Sequence, residues 1–421
     1  MELTLAAPLL RLDPLAPDVH EEAAHLRSLG PVVPVEMLGE VTAWAVTRDS
    51  TARELMVDTA RFAKDIKYWG AFGRGEVPPS WPLLGLVASG PNMLTTDGEE
   101  QRRLRTPLAR EFTGQRVERL RSRVEEITAT YLDLLAAQAS TAPDGVVDLK
   151  SEFAFPLPMT VIGELLGVPG DWHQELHRLF NTFFDELATP EQVMATHQAL
   201  HQALTDLIAL RRAEPGDDLT SALVNRAGLT DAELVGTLQL MIAAGHETTV
   251  YLLINAVRAL LAHPGQLAML LDGTQPWKNA IEEVLRWDPP ASNVAFRYAT
   301  EDTEVEGVRI RQGEPVIISY VCMGRDPERY GENAHLFDIT RPHPSGGHTS
   351  FGYGAHACIG AHLSRLEAAV ALPALFARFP GLALAVPEEQ VERTPSVIFN
   401  GRRTLPVRCG APAGGPAADE R

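Results

Sequence analysis

The sequence predicts a mainly α-helical chain with a minor β portion. Apolar residues recur at helical spacing from residue 99 to about 287, with few interruptions. After Pro289-Pro290 the texture changes to short apolar runs separated by Gly- and Pro-containing turns. No composition shift marks a linker between folding units, so residues 1–421 read as a single domain.

In chain order, 19–29 and 50–57 read as helices, and 31–35 and 42–46 as strands. The stretch 68–92 is rich in Gly, Pro and Trp and reads as a long loop. Loops of that length inside a domain are usually functional or disordered, and Tyr68, Trp69, Phe72 and Trp81 favour function. Helix is expected over 99–138, a linker over 139–145 and a short strand over 146–149. Helices then dominate, broken at Pro169-Gly170, Pro215-Gly216 and Pro264-Gly265. Thr230 and Glu233 form a capping box that opens an apolar run ending before Pro264. About 33 residues span roughly 50 Å as a helix, enough to cross a domain. Strands are expected at 305–310 and 315–320, and a disordered Gly/Ala/Pro-rich tail at 410–421.

With 45% hydrophobic residues in 421, a large core is available. The most apolar long segment, 238–261, is interrupted by His246 and Glu247 and reads as a core helix. No basic n-region or bilayer-length apolar run opens the chain, so a soluble cytoplasmic protein is expected, without membrane or appended reductase. Three scattered cysteines, Cys322, Cys358 and Cys409, exclude a disulfide framework and a paired-cysteine zinc site. The net charge of −18 argues against nucleic acid. Against that balance, residues 102–123 hold eight arginines and only two glutamates, Glu111 and Glu118. Such a patch suits electrostatic docking of a small acidic protein.

The most informative residues are Phe351-Gly352-Tyr353-Gly354-Ala355-His356-Ala357-Cys358-Ile359-Gly360, followed by a helix-forming run. A cysteine there faces the unpaired N–H groups and positive dipole end of a helix, which favour thiolate. Glycines let something flat lie close to the backbone. A thiolate in that setting suits an axial position of a haem iron. A second break in pattern is Ala243-Ala244-Gly245-His246-Glu247-Thr248-Thr249, in the middle of the long helix. A glycine, a charged pair and two threonines are poor interior residues, and such violations point to function.

Both segments resemble motifs of cytochromes P450, and in combination they identify the chain as a member of the soluble actinomycete type. The resemblance runs from about Asp13 to Val407. It implies a triangular helical prism with a long oxygen-side helix and a cysteine-ligated haem b (iron protoporphyrin IX). Cys358 would be the iron ligand, with Phe351 against its sulfur and Gly352 in the turn. His356, Arg297 and Arg105 would bind the haem propionates. Gln101 stands where many relatives have histidine and would bring one hydrogen bond without positive charge. Thr248 would order dioxygen, Glu247 would relay protons, and Ala244 and Gly245 would leave room above the iron. Glu283, Arg286 and Arg341 match the Glu-x-x-Arg and Phe-x-x-x-Arg signatures, a buried network that holds the cysteine loop.

The implied activity is monooxygenation, with electrons from an iron–sulfur ferredoxin and its NAD(P)H-dependent reductase docking on a basic proximal face. The chain would act as a monomer on a lipophilic small molecule. Pocket walls are expected from 68–92, 176–187, Met241, Ala244, Thr248, 292–296 and 397–399. Their apolar character favours a steroid-like or macrolide substrate. Oxidative coupling of an aromatic or peptide natural product is the alternative within the family. A non-catalytic haem sensor is the alternative outside it.

Overall fold

A single helix, Asp231–Ala262, organises the molecule. It starts at the Thr230–Glu233 capping box and runs 32 residues, and it is apolar on nearly every face because other helices surround it. It is the one helix among the described residues long and apolar enough to cross a membrane, but 83% of its most apolar window is buried within the protein. The computed structural model describes residues 9–410 except 227 and 343. Beyond residue 410 the expected tail lies outside the described residues.

Helices Pro156–Leu166, Pro190–Ala213, Trp277–Trp287 and Ala361–Arg378 pack around this axis. The helix Arg121–Thr141 packs on Ala361–Arg378 from outside. The main sheet has six strands in the order Leu10–Arg11, Val32–Met37, Val41–Val46, Pro315–Ser319, Asn293–Ala299 and Phe62–Ala63. Within Asn293–Ala299, Phe296 and Tyr298 alternate with Arg297, so two aromatic rings face one side and a cation the other. A three-stranded sheet joins Val146–Asp148 to the C-terminal strands Ala383–Leu384 and Pro406–Arg408.

Two expectations are corrected. The supposed linker 139–145 begins as the last turn of a helix that ends at Thr141, because the strong helix formers Ala136, Ala137, Gln138 and Ala139 carry the helix into it. The single strand expected over 305–310 is a hairpin, Thr303–Val305 with Val308–Ile310. Its turn residues Glu306 and Gly307 both take positive φ, 51° and 78°. That is the geometry of a two-residue hairpin loop, placed at Glu306-Gly307 between Val305 and Val308.

Candidate haem and oxygen site

The cysteine loop is held by its own backbone. Cys358 N–H donates to Phe351 O at 2.6 Å, and Gly352 N–H donates to Thr349 O at 2.7 Å. Gly352 has φ of 73°, and a Cβ there would come within 3.4 Å of the Tyr320 hydroxyl. Cys358 is exposed and lines a cavity of about 250 Å3. Burial pushes its thiol pKa up, while the Gly360 and Ala361 N–H groups, Arg105 and Arg365 pull it down. The net direction is upward, contrary to the thiolate expected from the helix terminus. Desolvation outweighs the dipole here, and metal coordination is what would remove the proton. Phe351 lines the same cavity with the Arg365 guanidinium 4.4 Å over its ring. Arg365 is itself held by Glu282, which also contacts His348 at 3.1 Å.

Across the cavity, Ala244, Gly245, Thr248 and Thr249 line the long helix's face. Thr248 donates to Ala244 O at 2.7 Å, leaving its oxygen lone pairs toward the cavity. Glu247 is not among the cavity walls. Adjacent helical residues point about 100° apart, and its buried carboxylate sits 3.9 Å from Lys150 Nζ and 3.6 Å from His246 Nδ1. Tyr251 is its neighbour one turn on, and proximity to Glu247 helps burial raise the phenol well above its ordinary pKa. The acid and alcohol adjacent in sequence therefore face different compartments. The space left by Gly245 is partly packing room, since a Cβ would meet Ile162 at 3.4 Å.

At the cavity's edge, Arg105 donates to Ala357 O at 2.6 Å and Gln101 donates to Ala355 O at 2.9 Å. Buried Arg297 donates to Phe62 O at 3.1 Å and Met56 O at 3.0 Å. His356 shares one ring nitrogen with Asp97 at 3.1 Å, and its Nδ1 is buried without a protein partner. An orphaned imidazole nitrogen and Arg105 on the wall of the cavity, with buried Arg297 an electrostatic neighbour of His356, fit a ligand with an apolar body and acidic side arms. Among the described residues no group of three or more His, Cys, Asp or Glu side chains converges as a metal cage. One sulfur suits an iron that brings its own ring of ligands.

Comparison with known proteins decides the family. Residues 277–400 match the family description "Cytochrome P450". The 2-hydroxy-5-methyl-1-naphthoate 7-hydroxylase of Streptomyces carzinostaticus is 39% identical, over 94% of this chain and 96% of its own. The vitamin D(3) 25-hydroxylase of Pseudonocardia autotrophica is 36% identical, over 93% and 94%. Among solved structures, CYP154C4 from Streptomyces sp. ATCC 11861, described as "testerone bound", superposes with a TM-score of 0.93. It is 47% identical, covering 97% of this chain and 100% of that one. The chain belongs to the cytochrome P450 family. It is an oxidoreductase of the monooxygenase type, and its cofactor is haem b.

In this P450 the three network residues come together. Both Glu283 oxygens accept from Arg286 at 2.7 Å, and Arg341 Nε lies 3.4 Å from Glu283. Arg286 also donates to Gly324 O, Ala334 O and Leu336 O, so the network reaches the segment 324–341 directly. It reaches the segment leading into the cysteine loop through its neighbours, Leu285, whose carbonyl accepts from Ser350, and Glu282, which contacts His348.

Two expectations change. Half of the arginine patch is neutralised: Arg103 pairs with Glu100 and Glu233, Arg116 with Glu111, Arg121 with Glu118, and Arg123 with Glu126 and Glu164. Counting charges within one sequence window missed carboxylates supplied from elsewhere. Arg102, Arg110 and Arg119 are exposed and make no ion pair among the described residues. The cavity walls also differ, for Met93, Leu94, Ile162 and Leu240 line it instead of 68–92, 176–187, 292–296 and 397–399. Trp69 and Trp81 are buried core residues, with ring centroids 5.3 and 5.7 Å from Phe296. Sequence reading singled out no role for Lys64, Asp97 or Glu367. A lysine and an acid inside otherwise apolar, periodic stretches were the available signals.

Proposed function

We propose that this P450 hydroxylates a bulky, rigid, lipophilic substrate of steroid type, using dioxygen and electrons from a ferredoxin and its reductase. The observation that carries the substrate class is the cavity wall. Met93, Leu94, Ile162, Leu240, Met241 and Ala291 bring no charge and no strong hydrogen-bond donor. A rigid apolar molecule loses little conformational entropy on burial there, whereas a charged one would lack partners. The names of two relatives, the vitamin D(3) hydroxylase and the testosterone-type complex, point the same way.

Haem, when bound, supplies the activation of dioxygen and the oxidising chemistry. The chain's residues set its surroundings. Cys358 would ligate the haem iron, with Phe351 beside it under the Arg365 guanidinium. Arg105, Arg297 and His356 would hold the propionates. The Thr248 hydroxyl, tied to Ala244 O, presents its oxygen to the space above the haem. Glu247 holds a proton source on the far side of the helix, beside Lys150. A rotation of its side chain toward Thr248 connects the two compartments. Exposed Arg102, Arg110 and Arg119 supply the positive charge that steers an acidic ferredoxin. A groove of about 240 Å3 beside the cysteine helix, lined by Gly114, Arg121, Lys278, His362 and Arg365, lies near these arginines in the sequence and suits the same face.

The test is titration of the ferric holoprotein with testosterone, followed at the Soret band, then turnover with ferredoxin and reductase. A shift to the high-spin form and a product heavier by one oxygen are expected. A normal haem spectrum that no steroid moves would overturn the substrate class and leave the family assignment intact.

A further inference from the structure

Two adjacent titratable residues of the long helix, His246 and Glu247, are buried at 1% and 4% exposure. His246 Nε2 lies 3.1 Å from the carbonyl of Phe155, which can only accept, so this nitrogen carries a proton. Burial pushes the imidazole pKa down, against the pull of Glu247 and the Phe155 carbonyl, so the ring holds that one proton and no second. Nδ1 is then a bare lone pair, buried without a hydrogen-bond partner among the described residues. It lies 3.6 Å from Glu247 Oε2, just beyond hydrogen-bond range. Two acceptors that close attract each other only with a proton between them, and the carboxyl can bring it.

The surroundings suit that task. Lys150 Nζ is 3.9 Å from the other Glu247 oxygen and donates to Arg402 O at 3.0 Å. Tyr251 sits against Glu247, and its hydroxyl donates to Thr394 Oγ1 at 3.2 Å. The Phe155 ring lies between His246, at a centroid distance of 4.2 Å, and His177, at 3.6 Å. Lys150–Ala154 form a π-helical turn that Phe155 caps, a distortion frequent at functional sites.

We propose that His246 is a positioning residue for proton delivery, whose Nδ1 accepts the Glu247 acid proton and holds the carboxyl behind the helix until it rotates toward Thr248. The proposal rests on the relay reading of Glu247 and adds the group that holds it. Having given up its proton on the Thr248 side, Glu247 returns as a carboxylate and takes one from the Lys150 ammonium. Lys150, with its side chain 13% exposed, recovers a proton from solvent.

The experiment compares holoprotein of the wild type with Glu247→Gln, His246→Gln and His246→Asn. Glutamine sets its amide where Nε2 lies, so it keeps a donor for Phe155 O and loses the Nδ1 acceptor. Asparagine sets its amide where Nδ1 lies and keeps the acceptor alone. The carbonyl stretch of the Glu247 acid is read by infrared spectroscopy, as the band that Glu247→Gln lacks and D2O shifts. In wild type it should have the lowered frequency of a hydrogen-bonded carboxyl, and in His246→Gln it should rise. Product per NAD(P)H, with testosterone as the probe, should fall on the order of tenfold in His246→Gln. Both readings should return toward wild type in His246→Asn. A role in packing alone predicts the reverse order, since His246→Gln keeps the Phe155 bond. That reverse order would overturn the proposal, and so would the absence of a Glu247 acid band in wild type, which needs no His246 variant to fold. Glu247→Gln with wild-type product per NAD(P)H would instead overturn the relay reading itself.

Discussion

Replacing Arg286 by methionine strands more hydrogen-bonding groups than any other single change to the structural network. Arg286 is 0% exposed and donates to both Glu283 oxygens and to the carbonyls of Gly324, Ala334 and Leu336, at 2.6–2.9 Å. Methionine fills similar volume and donates nothing. The Glu283 carboxylate, also 0% exposed, would keep Arg341 at 3.4 Å and the Asp338 N–H at 2.8 Å. Removing one partner of a buried pair costs about 3–5 kcal/mol. An orphaned buried acceptor adds about 1–3 kcal/mol. The total, about 5 kcal/mol or more, rivals the ~5–15 kcal/mol by which domains are stable. Arg286→Met should give little soluble holoprotein, and what folds should unfold at much lower urea by circular dichroism. Adding Glu283→Leu should cost less than the two single changes together, because no carboxylate is left stranded. Arg286→Met with wild-type haem content and an unfolding free energy within about 0.5 kcal/mol of wild type would refute the reasoning.

Burial raises the Glu367 carboxyl to about 8 from its ordinary 4.5, and its Oε2 has no partner. The folded state therefore holds a proton that the unfolded chain releases above pH 4.5, so stability falls as pH rises toward 8 and levels beyond it. Glu367→Gln, which does not titrate, should be more stable than wild type by a margin that grows from pH 5 to 8, up to about 5 kcal/mol at ~1.4 kcal/mol per pKa unit. Melting curves at both pH values check it, and a constant margin would contradict it. Thr248→Val should leave steroid binding intact and lower product per NAD(P)H by tenfold or more, within the ~10²–10⁴ span of proton-transfer effects; coupled turnover assays read the ratio. Reversing charge at Arg102 and Arg110 should slow ferredoxin-dependent reduction at low salt, with the difference shrinking as salt rises. Stopped-flow reduction measures both.

How much of this was legible follows from how local each signal is. The cysteine loop and the long helix were readable because turn glycines, a capping box and apolar periodicity act over a few residues, and the structure puts Cys358, Phe351, Ala244 and Thr248 around one cavity. The separation of Glu247 from Thr248 was hidden, since adjacency along the chain says nothing of what packs behind a helix; Lys150, 97 residues away, decides it. The partial pairing of the arginine patch was hidden for the same reason, with Glu164 and Glu233 arriving from other helices. Trp69 and Trp81 passed for pocket residues because composition cannot tell a buried aromatic cluster from a binding wall.

The most direct test of the central claim is the carbon monoxide spectrum of the dithionite-reduced protein, taken for wild type and Cys358→His. Wild type should show the strongly red-shifted Soret band of a thiolate-ligated haem. Cys358→His should bind haem and lose that band. The same spectrum from both proteins would contradict Cys358 as the iron ligand, and with it the site built around it.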